Sequence, residues 1–328
     1  MILPKGIYKK VNVICRNYLW HGSADSNSPG KVAWMNVCKP KKEGGLGLLN
    51  LKLWNVAAMG KHVWMIATKK DNVWVRWVHL VYIRDKNWWD YSPKVSDSWY
   101  WKAICQVKDF MKSYISSQQL VAMPKYSIKQ AYGRMSTGFE KLHWCNAVWG
   151  RLNIPKHRFI TWLAMLETLN TKEKLMKIGV TPDNWCLVCG TDVESHSHLF
   201  FRCEYSKQCW SDVAVWLGIH TSHYDLVSLI KWTHRKKLSR FKKCVIYCSI
   251  LSTVYHVWCE RNNALWNGQI RVPGTVCKNI NFVYIIELAT FSLGMSTLVT
   301  TVRFPTCMRG SVGGLWSLCV WISGRLFP

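Results

Sequence analysis

Acidic residues are scarce in this sequence. The 328 residues include 18 Asp and Glu against 44 Lys and Arg, which gives a formal net charge of +26. A chain this basic repels itself, and a polyanion is its natural counter-charge. We therefore expect RNA or DNA as the partner rather than an acidic small molecule. An anionic membrane surface fits less well, because no long amphipathic basic helix stands out.

Motifs of catalysis and of nucleotide binding are also absent. The sequence contains no HExxH, and its glycines follow neither the GxxxxGK[ST] nor the GxGxxG spacing. Zinc proteases, phosphate-loop proteins and dinucleotide-binding proteins are therefore excluded. We find no candidate catalytic residues and expect a protein that is not an enzyme.

The first residues, MILPKGIYKKVNVIC, contain no unbroken apolar core, so we expect no secretory leader there. The most hydrophobic run, residues 244–258, is about a turn short of a bilayer span, carries His256, and predicts a buried helix. We therefore expect an intracellular protein, nuclear or cytoplasmic and not secreted, with no membrane partner. In a reducing compartment, close pairs among its 14 cysteines favour a metal site over disulfides.

Hydrophobic periodicity predicts a mainly α-helical fold. Apolar residues recur at helical spacing over residues 51–68. Ser98 precedes a second helix, whereas residues 73–83 fit either a strand or a buried helix. Further signals are Ser127 with Gln130 as a capping box, Pro155 in a first helical turn, and Gly179 closing a short helix that Thr171 opens.

One stretch, WCLVCGTDVESHSHLFFRC over residues 185–203, has the spacing of a metal site. Cys186 and Cys189 form a CxxC turn that presents two sulfurs to one ion, and Cys203 supplies a third. The fourth ligand is His198 or His196. We favour His198, because C-x2-C-x8-H-x4-C ends in the H-x4-C spacing of compact zinc knuckles. Cys209 is a reserve ligand, expected on the following helix and facing away.

Four filled protein positions predict a structural Zn2+ rather than a catalytic one, because no coordination position is left open for water. The expected fold is thus mainly α-helical, with a small zinc knuckle embedded between helices and an irregular C-terminal tail. From residue 288 onward the composition changes, and Arg303, Arg309 and Arg325 are the only charged residues. We expect this atypical tail to be disordered.

The residues from Ser127 to Gly218 closely resemble the reverse-transcriptase zinc-binding domain of plant non-LTR (LINE-type) retrotransposons. The matching pieces are SIKQAY, VWGRLNIPKHRFITWLA, TKEKLMKIGV, CLVCG and ESHSHLFFRC. The likeness extends more loosely over residues 3–287. It implies a zinc ion held by Cys186, Cys189, His198 and Cys203, and nucleic-acid binding beside a reverse transcriptase.

The resemblance implies four regions: a connecting region from polymerase to zinc domain (1–120), the zinc-binding domain (125–218), a C-terminal helical region (225–287) and the atypical tail (288–328). The polymerase itself needs a pair of adjacent aspartates to hold two metal ions, and no Asp-Asp pair occurs. We therefore expect a module derived from the C-terminal part of a retrotransposon polyprotein, without its catalytic domain.

Basic residues near the predicted zinc loop are the candidates for phosphate contact, with Trp185 or Phe200 as a stacking platform for an unpaired base. The alternatives are a zinc-stabilised module that interacts with a protein such as a reverse transcriptase, and a non-functional retroelement remnant. The segment RKKLSRFKK, residues 235–243, fits either a nuclear localisation signal or the basic start of a helix. The candidate phosphate-binding residues are Lys156, Arg158, Lys172, Lys174, Lys177, Arg202 and Lys207.

Overall fold

The computed structural model describes residues 3–26, 28–136, 138 and 140–280. This part of the chain is mainly α-helical and contains no strand, so the predicted fold class is confirmed. The predicted tail at 288–328 lies outside the described residues. Among the described residues, no helix combines the length and the apolar character that crossing a bilayer requires.

Besides residues 273–280, which are also helical, fourteen α-helices lie wholly within the described residues up to Asn267. They are α1 (Lys5–His21), α2 (Trp34–Val37), α3 (Leu51–Ala67), α4 (Val73–Val78), α5 (Trp99–Lys112), α6 (Ser117–Val121), α7 (Ile128–Ser136), α8 (Cys145–Val148), α9 (Pro155–Met165), α10 (Lys172–Lys177), α11 (His196–Leu199), α12 (Glu204–Trp216), α13 (Leu226–Arg235) and α14 (Arg240–Asn267). One π turn, His79–Ile83, follows α4 directly.

The helix boundaries follow the local signals in the sequence. The Ser98 side chain accepts a hydrogen bond from the Trp101 amide and caps α5. Pro155 occupies the first turn of α9, where its missing N–H costs nothing. Gly179, after α10, adopts a φ of +72°, which a side chain would disfavour.

Two compact units divide the described chain. The first unit holds the residues up to Cys15 together with Ala33–Glu140. The second holds Arg16–Val32 together with the described residues from Lys141 onward. The dividing point near residue 140 falls inside the predicted 125–218 domain, and the four predicted regions stay a prediction.

The core of the first unit forms around α3, which packs against α5 and α7. The Tyr126 hydroxyl donates a hydrogen bond of 2.6 Å to the Ala57 carbonyl of α3. Gly60 lies at the same point, where an added Cβ would meet the Tyr126 Oη at 2.3 Å and the Met111 Sδ at 2.5 Å. The absence of a side chain at residue 60 therefore sets how closely these groups approach α3.

The second unit is organised by α14, the 28-residue helix that contacts α8, α9, α12 and α13. Its residues from Cys248 to Cys259 are almost all buried, as predicted for the hydrophobic run. Trp20, at the end of α1, stacks on Trp162 of α9 with ring centroids 6.4 Å apart. This unit therefore includes a segment, Arg16–Val32, that lies in sequence between the two parts of the first unit.

Candidate metal centre

The CxxC half of the site is a tight backbone turn. The Gly190 amide donates to the Cys186 carbonyl at 2.8 Å, and the Cys186 amide donates to the Asp192 carbonyl at 2.7 Å. Gly190 has a φ of +71°, a conformation in which glycine avoids the strain that a side chain causes. The turn therefore places Cys189 beside Cys186, as the spacing predicts.

The H-x4-C half closes from the opposite side. The Ser195 hydroxyl accepts a hydrogen bond from the His198 amide and so caps α11. The Cys203 amide then donates to the His198 carbonyl at 2.7 Å. To make this reversal, Phe201 adopts a left-handed φ of +78°, which is rare for an aromatic residue.

Phe201 is held in that conformation by its surroundings. Its amide donates to the Ser206 hydroxyl at 3.0 Å, and its ring packs edge-on against Trp210 of α12. With Leu199 and Phe200 it is fully buried, which gives the reversal an apolar floor. The side chains that follow His198 therefore pack beneath the site, as predicted.

Four ligand atoms converge between these two halves. The three sulfurs of Cys186, Cys189 and Cys203 and a ring nitrogen of His198 all lie within 4.8 Å of one another. The Cys186 and Cys203 sulfurs are 3.9 Å apart, and the Cys189 sulfur is 3.3 Å from His198 Nε2. Tetrahedral zinc with sulfur bonds of about 2.3 Å places two sulfurs about 3.8 Å apart. The donor set and its spacing therefore fit zinc.

The cluster is costly unless a cation occupies it. A hydrogen bond joins the Cys186 and Cys203 sulfurs, and it lowers the pKa of Cys186 to about 5. The same hydrogen bond, together with burial, raises the pKa of Cys203. Two buried sulfurs at this distance therefore share one proton, whereas a metal ion would stabilise both as thiolates.

The ligand orientations are supported by neighbouring side chains. Asp192 Oδ2 lies 3.3 Å from His198 Nδ1, so the carboxylate accepts the ring N–H and leaves Nε2 facing the sulfurs. Such a carboxylate fixes the tautomer of a metal-binding histidine and raises its basicity. The Thr191 hydroxyl donates to the Cys189 sulfur at 3.2 Å.

Glu194 connects the metal loop to two helices. Its Oε1 accepts hydrogen bonds of 2.8 Å from the Lys172 amide at the start of α10 and from Arg261 Nε on α14. Both charged side chains are almost inaccessible to solvent, at 0% for Glu194 and 1% for Arg261. The loop is therefore fastened to the unit by a buried ion pair.

The two other candidate ligands lie apart from the cluster. His196 Nε2 is buried without a hydrogen-bond partner among the described residues, and burial lowers the pKa of this imidazole to about 4. Cys209 is buried on α12 and is not among the converging ligand atoms, as predicted for a residue facing away. The geometry thus brings His198 to the sulfurs, and the assignment of ligands remains a prediction.

Three of the candidate phosphate-binding lysines lie on α10. Lys172 is buried, with its Nζ 2.5 Å from an Asp183 carboxylate oxygen. Lys177 is exposed and pairs with Glu173 at 2.7 Å. Lys174 donates to the Glu167 carbonyl. Of the three, Lys172 is therefore the one whose charge is turned away from solvent.

The other four candidates lie on α9, α12 and the loop before α12. Lys156 Nζ lies 4.8 Å from the centre of the Tyr255 ring, and Arg158 donates to a backbone carbonyl at 2.9 Å. Lys207 pairs loosely with an acidic residue at 3.6 Å, and Arg202 is exposed. These groups remain at or near the surface, where a phosphate could reach them.

The two candidate stacking residues differ sharply in exposure. The Trp185 side chain is 55% exposed, directly before the first cysteine of the site. Phe200 is 3% exposed and belongs to the apolar floor. A base could therefore reach Trp185, whereas Phe200 is occupied by core packing.

Sequence reasoning missed the supporting residues of the site. Asp192, Glu194 and Arg261 carry no motif, and the last lies 67 positions from its partner Glu194. One signal could have pointed to Asp192 and Glu194. Acidic residues are scarce in this sequence, at 18 in all, yet these two lie between the predicted ligands Cys189 and His198.

Comparison with known proteins agrees with this geometry. Residues 126–210 match the family model described as zinc-binding in reverse transcriptase. The match contains the four converging residues, and it lies within the region whose resemblance was noted from the sequence. No solved structure matches the chain.

A protein of Arabidopsis thaliana, named as a ribonuclease H protein, is 34% identical over 108 residues. The similarity covers 32% of this chain and 17% of the relative, so the chain matches only about a sixth of that protein's length. The predicted resemblance is confirmed: residues 126–210 are similar to the zinc-binding domain found in reverse transcriptase.

Proposed function

We propose that Cys186, Cys189, His198 and Cys203 bind one structural zinc ion. The observation that carries the proposal is the convergence of three sulfurs and one imidazole nitrogen within 4.8 Å. When bound, zinc supplies the positive charge that lets buried sulfurs coexist as thiolates. The protein fills all four positions, which leaves no site for an activated water.

Metal content tests this assignment. We expect elemental analysis of the full chain to give one zinc per molecule, lost in Cys186→Ser and His198→Ala. Cys15→Ser, which removes an exposed cysteine of α1, and His196→Ala should keep the zinc. Loss of zinc in His196→Ala but not in His198→Ala would contradict the ligand set, and a folded wild-type chain without zinc would refute the site.

We further propose that the zinc-stabilised domain binds RNA or DNA and performs no catalysis itself. In this proposal the chain derives from the C-terminal part of a plant LINE-type retrotransposon polyprotein, without its polymerase. Support comes from the net charge of +26, the family match and the name of the Arabidopsis relative. The proposed phosphate contacts are Lys156, Arg158, Lys174, Lys177, Arg202 and Lys207, with buried Lys172 left out.

Salt dependence tests the nucleic-acid proposal. Each single-strand phosphate contact contributes about 0.7 to the slope of log affinity against log salt. We therefore expect steep weakening of RNA and DNA binding with salt, and a shallower slope for Arg202→Ala combined with Lys177→Ala. Affinity independent of salt would contradict the proposal.

A protein-interaction module is the second candidate. Three apolar side chains at the entry to the metal loop are more than half exposed: Ile178 at 68%, Val180 at 58% and Trp185 at 55%. A partner protein covering them would bind with weak salt dependence. Substituting Ile178 and Val180 by Ser should then abolish that binding and leave nucleic-acid affinity unchanged.

A further inference from the structure

A groove of about 940 Å³ lies in the second unit, away from the residues of the metal cluster. One wall is the turn between α8 and α9, over residues 150–153. The other is the end of α13 and the first two turns of α14. The lining residues of α14 are Arg240, Phe241, Lys243, Cys244, Tyr247 and Cys248, which recur at the three- and four-residue spacing of one helix face.

Both walls are fixed by hydrogen bonds. The Asn153 side chain is buried and donates to the carbonyls of Ala147 and Val148 at 2.6 and 3.0 Å, which holds the α8–α9 turn in place. On the opposite side, Lys243 Nζ donates to the His234 carbonyl at 2.7 Å and joins α14 to the end of α13. The groove therefore exists in the folded unit without rearrangement of its walls.

The rim of the groove is basic. Arg151 stands on one wall, and Arg240 and Lys243 stand on the other. No described residue that lines the groove is acidic, and neither arginine forms an ion pair with any described carboxylate. Arginines that line the same groove suit the oxygens of successive phosphates, because a guanidinium group contacts phosphate in a forked geometry.

Two aromatic residues, Phe241 and Tyr247, also line the groove. Phe241 is 54% exposed, although it is a large apolar side chain at the mouth of the groove. Tyr247 lies one to two turns further along the same helix and is half-buried in the wall. Exposed rings beside arginines are the combination by which proteins stack unpaired bases while neutralising the backbone.

We propose that this groove binds a segment of single-stranded nucleic acid, with a base stacked on Phe241 and flanking phosphates on Arg151 and Arg240. The proposal rests on the proposed nucleic-acid-binding function and assigns it a site distinct from the zinc loop. Under it, the basic run 235–243 has a structural purpose, because it supplies one side of the groove.

Fluorescence anisotropy of the full chain with labelled oligouridine, oligothymidine and a DNA duplex tests the site. Phe241→Ala should weaken single-strand binding about fivefold or more, the factor typical of one lost stacking contact, and Phe241→Trp should restore it. Arg151→Ala combined with Arg240→Ala should lower the salt slope by about 1.4, or 0.7 per phosphate. Oligouridine and oligothymidine distinguish RNA from DNA as the source of the strand.

The control variants remove an exposed aromatic ring and two exposed positive charges from the first unit. Trp99→Ala deletes a ring that is 64% exposed in the first unit, and Lys61→Ala with Lys129→Ala deletes two exposed charges of that unit. Both should bind like the wild type, apart from the small effect of net charge.

Three results would refute the proposal that this groove binds single-stranded nucleic acid. If wild type binds but the groove variants match their controls, the proposed function stands and this site is wrong. If the duplex binds as tightly as the single strands, stacking on an unpaired base is wrong. If wild type binds no nucleic acid, the nucleic-acid function fails and the groove fails with it, while the zinc assignment is judged separately by metal content.

Discussion

Replacing Glu194 by Ala tests how the metal loop is fastened. The carboxylate accepts hydrogen bonds of 2.8 Å from both Arg261 and the Lys172 amide, and it is fully buried. Its loss leaves the Arg261 charge buried without a carboxylate partner, a change that costs about 3–5 kcal/mol. For a unit of this size we expect the melting temperature to fall by about 6 °C or more.

The Glu194–Arg261 ion pair contributes less to the free energy of unfolding than the loss in Glu194→Ala suggests. Burial raises the pKa of Glu194 even though the Arg261 charge opposes the shift. The free-energy cost of removing the Glu194 carboxylate from water therefore exceeds the stabilisation from Arg261 and the Lys172 amide. Consequently, replacing both residues with apolar ones, Glu194→Leu with Arg261→Met, should recover most of the stability lost in Glu194→Ala.

Thermal melting of the zinc-loaded full chain, followed by circular dichroism, measures the effect. Glu204→Gln is the matched control, because Glu204 is an exposed acidic residue whose pairing with Lys207 spans 3.6 Å. That change should cost less than about 1 kcal/mol. Equal melting temperatures for Glu194→Ala and Glu204→Gln would refute the reasoning, and so would a double variant no more stable than Glu194→Ala.

Three further predictions concern metal affinity, pH and packing. Asp192→Asn should weaken zinc affinity about 10- to 100-fold, measured by chelator competition, because the His198 ring loses its carboxylate partner; unchanged affinity would refute this role. Burial lowers the pKa of His157, and lowers that of His256 to about 4, so the unfolded chain binds protons first as pH falls. The free energy of unfolding should therefore decrease from about pH 6.5 towards pH 4, less steeply in His256→Phe, and a flat profile would contradict it. Gly60→Ala should lower the free energy of unfolding by about 1–3 kcal/mol, because the added methyl group overpacks the core. Gly133→Ala should raise it by up to about 1 kcal/mol, because there is open space around that Cβ and alanine favours a helix. Denaturant unfolding measures both changes.

Local signals in the sequence carried most of the helix predictions. Ser98, Pro155 and Gly179 each act within one turn of their own position, so their effect is readable without the tertiary structure. Residues 73–83 were ambiguous because valines and aromatics suit a strand as well as a buried helix. The structure resolves them as α4 and a π turn, with Asn72 as the cap that periodicity does not reveal.

The candidate metal site was predictable for a related reason. A CxxC turn and an H-x4-C reversal are both short, so their spacing alone restricts the geometry. What spacing could not provide was the choice between His196 and His198, since both lie on the same short helix. That choice depends on where α11 points its side chains, which Ser195 and the reversal at Phe201 determine.

The second unit is discontinuous in sequence, and this has a consequence for the order in which it can form. Trp20 is synthesised before Ala33–Glu140, the larger part of the first unit, and Arg261 is synthesised after the metal loop is complete. During synthesis, the loop can therefore gather its four ligands while Glu194 still lacks its cationic partner. A fragment that contains only residues 126–210 would keep Glu194 without its cationic partner, because it omits both Trp20 and Arg261.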